Sequence, residues 1–196
     1  MNTVIIQYNA GNIQSVLYAL ERLGVTATVT DNLEAIQAAD KVIFPGVGEA
    51  STAMQYLQAR GLDQVIKNLK QPVFGICLGM QLMCAYSEEN NTNCLGIFEA
   101  QVKLFKPVNA TIKVPQIGWN TIANLKTDLF KGVKEDSFAY FVHGYYAALG
   151  EHTIATTNYV QPYSSALQKD NFYGVQFHPE KSARVGEQII QNFLNL

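Results

Sequence analysis

The sequence is poor in charge and has no long apolar run, and each shortage excludes a class of protein. Only 15% of its 196 residues are charged, and the formal net charge is −2. Because basic residues are few and scattered, we expect neither nucleic acid nor an anionic membrane as a partner. No apolar run approaches the ~20 residues that a membrane helix needs. The first residues lack the features of a secretory signal, so we expect a cytoplasmic protein.

Cysteine is also scarce, with Cys77, Cys84 and Cys94 as its only occurrences. An odd count without a framework spacing, in a chain with no export signal, predicts reduced thiols rather than disulfides. The cysteines and histidines show no paired spacing of the kind that holds zinc. The sequence therefore predicts no metal site and no cofactor.

What is present is a regular alternation in the first half of the chain. Apolar, β-branched runs predict strands at 3–9, 25–31, 41–46 and 71–77. Helical periodicity follows each of them, at 12–24, 32–39, up to about 69, and from 78 to 87. Such strands between amphipathic helices indicate a parallel sheet covered on both faces, and right-handed crossovers make the fold doubly wound.

The second half contains strand-like runs with few helices between them, which predicts an antiparallel extension of the sheet. Residues 182–196 are amphipathic at helical spacing and predict a closing helix. We therefore expect an α/β fold, mostly parallel, in a single domain over residues 1–196.

The stretch "VFGICLGMQLM" (73–83) predicts a strand-to-helix turn centred on Cys77. Glycine two residues before and two after the central residue is typical of a nucleophile elbow, where a side chain at Gly75 or Gly79 would collide with its neighbours. The start of the helix favours a thiolate, and the N–H of Leu78 is placed to donate to an oxyanion. The alternative is that Cys77, like Cys84 and Cys94, is a small buried apolar residue.

A thiol nucleophile needs a base and a group that orients the base, and "YGVQFHPEKS" offers His178 and Glu180. In an extended segment, which Pro179 favours, residues i and i+2 project to one side, so the carboxylate can orient the imidazole. His143 also follows an apolar strand but has no acidic residue two positions away. His152 lies in a predicted turn.

The stretch "FPGVGEA" (44–50) ends the third predicted strand and lacks both common phosphate-binding patterns. It is either a simple turn or a loop whose glycines, Gly46 and Gly48, allow a peptide N–H to point at an oxyanion beside Cys77.

Together, "PGVG", "GICLGMQ" and "HPEKS" resemble the class I (triad) glutamine amidotransferases, in the right order and over most of the chain. The resemblance implies a flavodoxin-like fold and hydrolysis of glutamine. Cys77 falls on the family's nucleophile, His178 on its base and Glu180 on its orienting acid. The positions implied for the oxyanion and the substrate are Leu78, Val47 and Gly48, and Gln81, Gly144 and Tyr145, respectively.

Three further segments, "YNAGNIQSVLYALERLG", "PQIGWN" and "YFVHGYY", are similar to the glutaminase subunits of imidazole glycerol phosphate synthases. Those subunits act in histidine biosynthesis and pass ammonia to a separate (β/α)₈ cyclase subunit. The positions that would face the cyclase are Asn12, Trp119, Tyr140 and Lys181. The chain departs from the usual pattern at Asn9, Gln116 and Gly144, which leaves the triad intact and bears on partner contacts and switching.

Alternatives remain open at this point. The chain could be the glutaminase subunit of another synthase, such as anthranilate or aminodeoxychorismate synthase. It could also be a cysteine peptidase or a stress protein on the same fold, in which histidine and acid usually come from other places. A non-catalytic scaffold subunit that keeps the motifs is the third alternative, and replacement of Cys77 would separate it from the others.

Overall fold

The computed structural model describes residues 1–9, 11, 13–107, 109 and 111–196. The helices are α1 (Ile13–Arg22), α2 (Leu33–Gln37), α3 (Ala50–Ala59), α4 (Leu62–Asn68), α5 (Leu78–Met83) and α6 (Ala183–Leu194). The strands are β1 (Thr3–Ile6), β2 (Ala27–Thr30), β3 (Lys41–Gly46), β4 (Val73–Cys77), β5 (Tyr86–Ser87), β6 (Thr92–Asn93), β7 (Gln101–Leu104), β8 (Gln116–Ile122), β9 (Ser137–His143), β10 (Tyr145–Ala147), β11 (Thr153–Asn158), β12 (Pro162–Lys169) and β13 (Phe172–Val175).

The first four strands form the predicted parallel sheet, and β13 joins it from the far end of the chain. The order is β2-β1-β3-β4-β13, and every pairing along it is parallel. Strand β13 lies directly beside β4, with Val175 opposite Ile76. Because parallel strands end at one edge, the segments that follow β3, β4 and β13 meet there.

Helices cover both faces of this sheet, which confirms the doubly wound prediction. Along β1 the side chains alternate: Val4 and Ile6 pack with α2–α5, whereas Ile5 packs with α1 and α6. Each face is therefore apolar, and both clusters are almost fully buried.

The second half supplies the antiparallel extension, as predicted. Strand β13 pairs antiparallel with β12, β12 pairs with β10 and β11, and β10 pairs with β7. Strand β7 pairs in turn with β5, and β5 with β6, so that the main sheet has eleven strands within the described residues. The run "SFAYFVHGYYAAL" is divided at Gly144 between two sheets, because β9 pairs with β8 in a separate two-stranded sheet and β10 joins the main one.

Helix α5 is shorter than its sequence pattern. It ends at Met83 rather than near residue 87, since Cys84 is extended (φ −68°, ψ 174°) and Tyr86 already pairs in β5. Over the stretches that the structure describes, no helix has both the length and the apolar character to cross a membrane.

Candidate active site

Cys77 lies at the sharp turn between β4 and α5, in a backbone conformation that non-glycine residues rarely adopt. Its φ is 52° and its ψ is −107°. Such a conformation is strained and persists only where the surrounding structure imposes it. The predicted strained turn is therefore confirmed.

The two flanking glycines are required by close packing. A β-carbon at Gly79 would lie 1.8 Å from the carbonyl oxygen of Phe44 in β3, and that backbone cannot give way. A β-carbon at Gly75 would lie 2.3 Å from Met83 Cε and 2.9 Å from the backbone nitrogen of Met80. The expected collisions with neighbouring strand and helix are confirmed.

His178 reaches this edge because it follows β13 by three residues. Its Nδ1 lies 2.9 Å from Glu180 Oε1, and the two residues are only 2% and 8% exposed. The prediction that this segment is extended is wrong beyond His178, because Pro179–Lys181 forms a 3₁₀ turn. Proline fits the first position of such a turn, and the turn still brings the carboxylate to the imidazole.

The electrostatics favour a charged His178. Burial lowers the pKa of His178. Hydrogen bonds to Cys77 and Glu180, together with the charges of both groups, raise it by more than burial lowers it, and the resulting pKa is about 10. The imidazole is then protonated at neutral pH and bonded to both the sulfur and the carboxylate. This is an arrangement in which a thiolate is stabilised and a proton can be delivered.

His143 is in the opposite state. Burial lowers its pKa to about 4, so the ring is neutral at pH 7. Its Nδ1 lies 2.7 Å from the Tyr145 carbonyl oxygen and its Nε2 lies 3.2 Å from Tyr163 Oη. The third histidine, His152, contacts Glu151 and Phe98 and does not line the pocket described below.

Two further groups contact the sulfur of Cys77. Gln176 Nε2 lies 3.6 Å from Sγ, and the Val142 carbonyl oxygen lies 3.7 Å from it. Gln176 is completely buried, and its Oε1 accepts from Gln81 Nε2 at 2.8 Å. Sequence reasoning missed Gln176, whose only local signal is a polar side chain in an apolar run two positions before His178.

Cys77 opens into a small pocket of about 190 Å³. The residues around it include every position expected for the oxyanion and for the substrate, together with Glu89, which sequence reasoning missed. The lining consists of Val47, Gly48, Cys77, Leu78, Gln81, Glu89, Val142, His143, Gly144 and Tyr145.

The loop after β3 and the start of α5 flank the sulfur as expected for oxyanion donors. Gly46 pairs with Cys77 across β3 and β4, so Val47 and Gly48 leave the sheet beside Cys77. Gly48 has a φ of 128°, in the region that favours glycine, and Leu78 is the first residue of α5. Gly46 itself has no room for a side chain, because a β-carbon would lie 2.0 Å from Tyr8 Oη.

Glu89 is the acidic residue of the pocket. Its Oε2 accepts a hydrogen bond from the Ala50 N–H at 2.8 Å. Burial raises the pKa of Glu89, the hydrogen bond from Ala50 lowers it, and the charge of Glu49 raises it. A positively charged ligand group beside this carboxylate would be stabilised.

The positions expected to face a partner lie on the two-stranded sheet and just after His178. Trp119 and Tyr140 are opposite each other across β8 and β9, with ring centroids 5.8 Å apart. Trp119 is 53% exposed, so it is not part of the core, and Lys181 is also exposed. Asn12 lies outside the described residues.

A larger cavity, of about 650 Å³, lies at the opposite edge of the sheet. Lys70 and Pro72 precede β4 there, and Asn171 precedes β13. The side-chain nitrogen of Asn171 donates to the carbonyls of Leu69 and Gln71. The residues that line this cavity include no cysteine, serine or histidine, so volume alone does not identify the reactive site. Among the described residues, no group of three or more His, Cys, Asp or Glu could hold a metal ion.

Comparisons with known proteins find relatives over the full length of the chain. The chain is 61% identical over 196 residues to the imidazole glycerol phosphate synthase subunit HisH of Bacteroides fragilis, covering 100% of both chains. It is 57% identical to that of Bacteroides thetaiotaomicron, again over 100% of both. The HisH subunit of Vibrio cholerae is 43% identical, with 100% of this chain and 98% of that one covered.

Solved structures show the same fold at low identity. One described as a glutamine amidotransferase has a TM-score of 0.74 and 19% identity, covering 98% of this chain and 97% of that chain. The structure of PurLQS from Thermotoga maritima has a TM-score of 0.72 and 16% identity, covering 99% and 97%. The family model described as glutamine amidotransferase class-I matches residues 4–196. The chain therefore belongs to the class-I glutamine amidotransferase family.

Proposed function

We propose that this chain hydrolyses glutamine to glutamate and ammonia and supplies the ammonia to a separate cyclase subunit of an imidazole glycerol phosphate synthase. The observation that carries the proposal is the bonded row of sulfur, imidazole and carboxylate at a strained strand-to-helix turn facing a pocket. The His178–Glu180 contact is 2.9 Å, and His178 is hydrogen-bonded to Cys77. Full-length relatives named as HisH subunits support the synthase assignment.

The reaction begins at the sulfur. The Cys77 thiolate attacks the side-chain carbonyl carbon of glutamine, and the oxyanion accepts hydrogen bonds from the N–H of Leu78 and from the Val47–Gly48 loop. Protonated His178 gives its proton to the departing nitrogen, which leaves as ammonia. Neutral His178 then takes a proton from water as that water attacks the thioester, and glutamate is released. Glu180 holds the imidazole ring and stabilises its charged form.

The pocket suits a substrate of amino-acid size. Its volume of about 190 Å³ lies below the ~300 Å³ at which drug-sized ligand pockets begin. Glu89 is placed to pair with the α-ammonium group of glutamine. Gln81 donates its side-chain N–H groups to Gln176 and to the Tyr145 carbonyl, so its Oε1 is the atom left to receive the substrate amide.

The two-stranded sheet is the proposed docking surface for the cyclase. Ile117, Trp119 and Phe138 are 64%, 53% and 59% exposed, a concentration of large apolar side chains on one small sheet. The sheet is bonded to the triad, because the N–H of His178 donates to the Tyr140 carbonyl at 2.8 Å. Ser182 Oγ accepts from the Tyr140 N–H at 2.9 Å and donates to the His178 carbonyl at 2.7 Å. Binding of a partner to this sheet can therefore shift the backbone of His178, the proposed base.

In this proposal, partner binding also determines the conformation of the Val47–Gly48 loop that donates to the oxyanion. Gly46 and Gly48 let the intervening peptides turn, and the loss of one oxyanion donor lowers the rate by about 10²- to 10³-fold. An isolated chain with its loop N–H turned away would be nearly idle. This couples ammonia release to the presence of its acceptor.

The deciding experiment measures glutamate release from glutamine by the chain alone, with the cyclase subunit, and with the cyclase and its ribonucleotide ligand. We expect slow release alone and a rate about 100-fold higher in the liganded complex. Equal rates in all three would refute the switch. No release under any condition would refute the enzymatic proposal, and stimulation by an anthranilate or aminodeoxychorismate synthase partner instead would move the chain to that pathway.

A further inference from the structure

We infer that Gln176 is a fixed hydrogen-bond donor to the Cys77 sulfur and that Gln81 and the Tyr145 carbonyl set its orientation. Gln176 Nε2 lies 3.6 Å from Cys77 Sγ, and the carboxamide is completely buried. The inference rests on the proposed function in one respect, since it takes Cys77 as the nucleophile.

The orientation of both carboxamides follows from one backbone group. The Tyr145 carbonyl oxygen can only accept, so the end of Gln81 that lies 3.0 Å from it must be the NH₂ group. The same nitrogen lies 2.8 Å from the side chain of Gln176, so the atom of Gln176 that faces it must be the oxygen. The other end of Gln176, which faces the sulfur, is then the NH₂ group. This logic settles an assignment that the shape of a carboxamide alone leaves ambiguous.

An N–H donor at the sulfur discriminates between the two states of the nucleophile. A thiolate accepts a hydrogen bond strongly, whereas a thiol accepts one weakly. The opposite preference comes from the Val142 carbonyl, which lies 3.7 Å from Sγ and can accept only from a thiol. Gln176 and His178 therefore favour the reactive form on one side of the sulfur, and Val142 favours the resting thiol on the other.

The other ionisable groups around the sulfur do not replace this donor. Burial raises the pKa values of Tyr8 and Tyr163 well above the ordinary range, and burial lowers the pKa of His143, so all three are neutral at pH 7. Glu89 is acidic and lines the same pocket. The groups that stabilise a thiolate through side-chain N–H bonds are thus the charged His178, oriented by Glu180, and the neutral Gln176.

The test is the pH dependence of alkylation of Cys77 by iodoacetamide, followed by peptide mapping. Burial raises the pKa of Cys94 to about 12 and raises that of Cys84 further, so those thiols react slowly and do not obscure the signal. Gln176→Met keeps the length of the side chain and removes the donor. We expect its profile to move to higher pH and the rate at pH 7 to fall about tenfold, with an unchanged rate at the high-pH limit.

A matched control is Asn192→Leu, because Asn192 is another buried amide, with its side-chain nitrogen donating to the carbonyls of Leu129 and Lys131. It should lower thermal stability without moving the alkylation profile. An unmoved profile in folded Gln176→Met would overturn the inference.

Gln81→Met provides a second route if Gln176→Met does not fold. This substitution leaves the Gln176 carboxamide free to rotate by 180°, so we expect a smaller shift of the alkylation profile in the same direction. If both variants fold, the double variant should match Gln176→Met alone, because Gln81 acts on the sulfur only through Gln176. An unmoved profile in Gln81→Met when Gln176→Met is unfolded would also overturn the inference. If Cys77→Ala retained full glutamate release, the proposed function itself would fail, which is a distinct outcome.

Discussion

His143 and His178 are both almost fully buried, 6% and 2% exposed, yet their environments drive them to opposite protonation states. Burial lowers the pKa of His143 to about 4; the backbone hydrogen bond to Tyr145 opposes this change, and the charge of His178 adds to it. At His178 the same burial is outweighed by the sulfur of Cys77 and the carboxylate of Glu180, and the pKa is raised to about 10. The comparison teaches that charged hydrogen-bond partners, and not depth, make a buried histidine a candidate for proton transfer.

The most direct test of this difference between the two histidines is to replace each of them in turn. His178→Gln should lower glutamate release by about 10⁴-fold or more, because both proton transfers depend on it. His143→Gln should keep activity within about tenfold, since the lost ring served the packing of the pocket wall. Steady-state assays of both variants in the cyclase complex decide this, and an inactive His143→Gln beside an active His178→Gln would reverse the assignment.

Glu180→Gln sharpens the comparison by making the surroundings of His178 more like those of His143. The shape is preserved, but the carboxylate that stabilises the imidazolium is lost, and we expect kcat to fall about 10³-fold. The pKa of His178 should move from about 10 toward its ordinary value. Nuclear magnetic resonance titration of the imidazole would measure the shift. An unshifted titration would show that Glu180 does not stabilise the charged form of His178.

The two histidines should also affect stability in opposite directions of pH. For His143, the folded pKa of about 4 lies below the ordinary 6.5, so the unfolded state binds a proton that the folded state does not. The contribution of neutral His143 to the free energy of unfolding is therefore fully present above pH 6.5. As the pH falls toward 4, the free energy of unfolding decreases by about 3 kcal/mol. Denaturant unfolding should show that His143→Gln loses less stability than the parent protein over this window. Equal losses would contradict the depressed pKa.

For His178 the sign is reversed, because its folded pKa is raised. Its contribution is complete below pH 6.5 and is lost as the pH rises toward 10. The same unfolding series, extended to alkaline pH, should show His178→Gln losing less stability than the parent protein there.

The smallest expected effect comes from the docking surface, which touches His178 through the backbone of Tyr140. Trp119→Ala should weaken binding of the cyclase about tenfold, since an exposed tryptophan is a typical interface anchor. Leu149 is equally exposed at 53% but lies outside β8 and β9, so Leu149→Ala is the matched control. Isothermal titration with each variant tests this, and equal affinities would move the docking surface elsewhere.

Most of the candidate site could be predicted from the sequence, because the patterns that indicate it lie between near neighbours in the chain. Glycines at 75 and 79 around Cys77 predicted a strained turn, and the structure shows the collisions that exclude any other residue. A histidine and a glutamate two positions apart after an apolar run marked the other half. The extended conformation predicted for that half was wrong, because proline also starts a 3₁₀ turn, and the local pattern did not distinguish the two.

Gln176 and Glu89 were missed for a different reason. Nothing near Gln176 in the chain shows that β13 lies beside β4, a contact between residues about 100 positions apart. Glu89 begins the 3₁₀ turn that follows β5, and a hydrogen bond from the first residue of α3 holds its carboxylate. Both roles arise only when distant segments are packed together.

By itself, the sequence determined the alternation of apolar strands and amphipathic helices, the turn at residue 77 and the chemical types of the candidate reacting groups. These features follow from periodicity and from the space available to a glycine, which are properties of neighbours in the chain. Only the tertiary structure decided which histidine is charged and which way the buried carboxamides point. Those outcomes depend on electrostatics and on hydrogen bonds among groups that are distant in the chain and that the fold brings to 2.8–3.6 Å from one another.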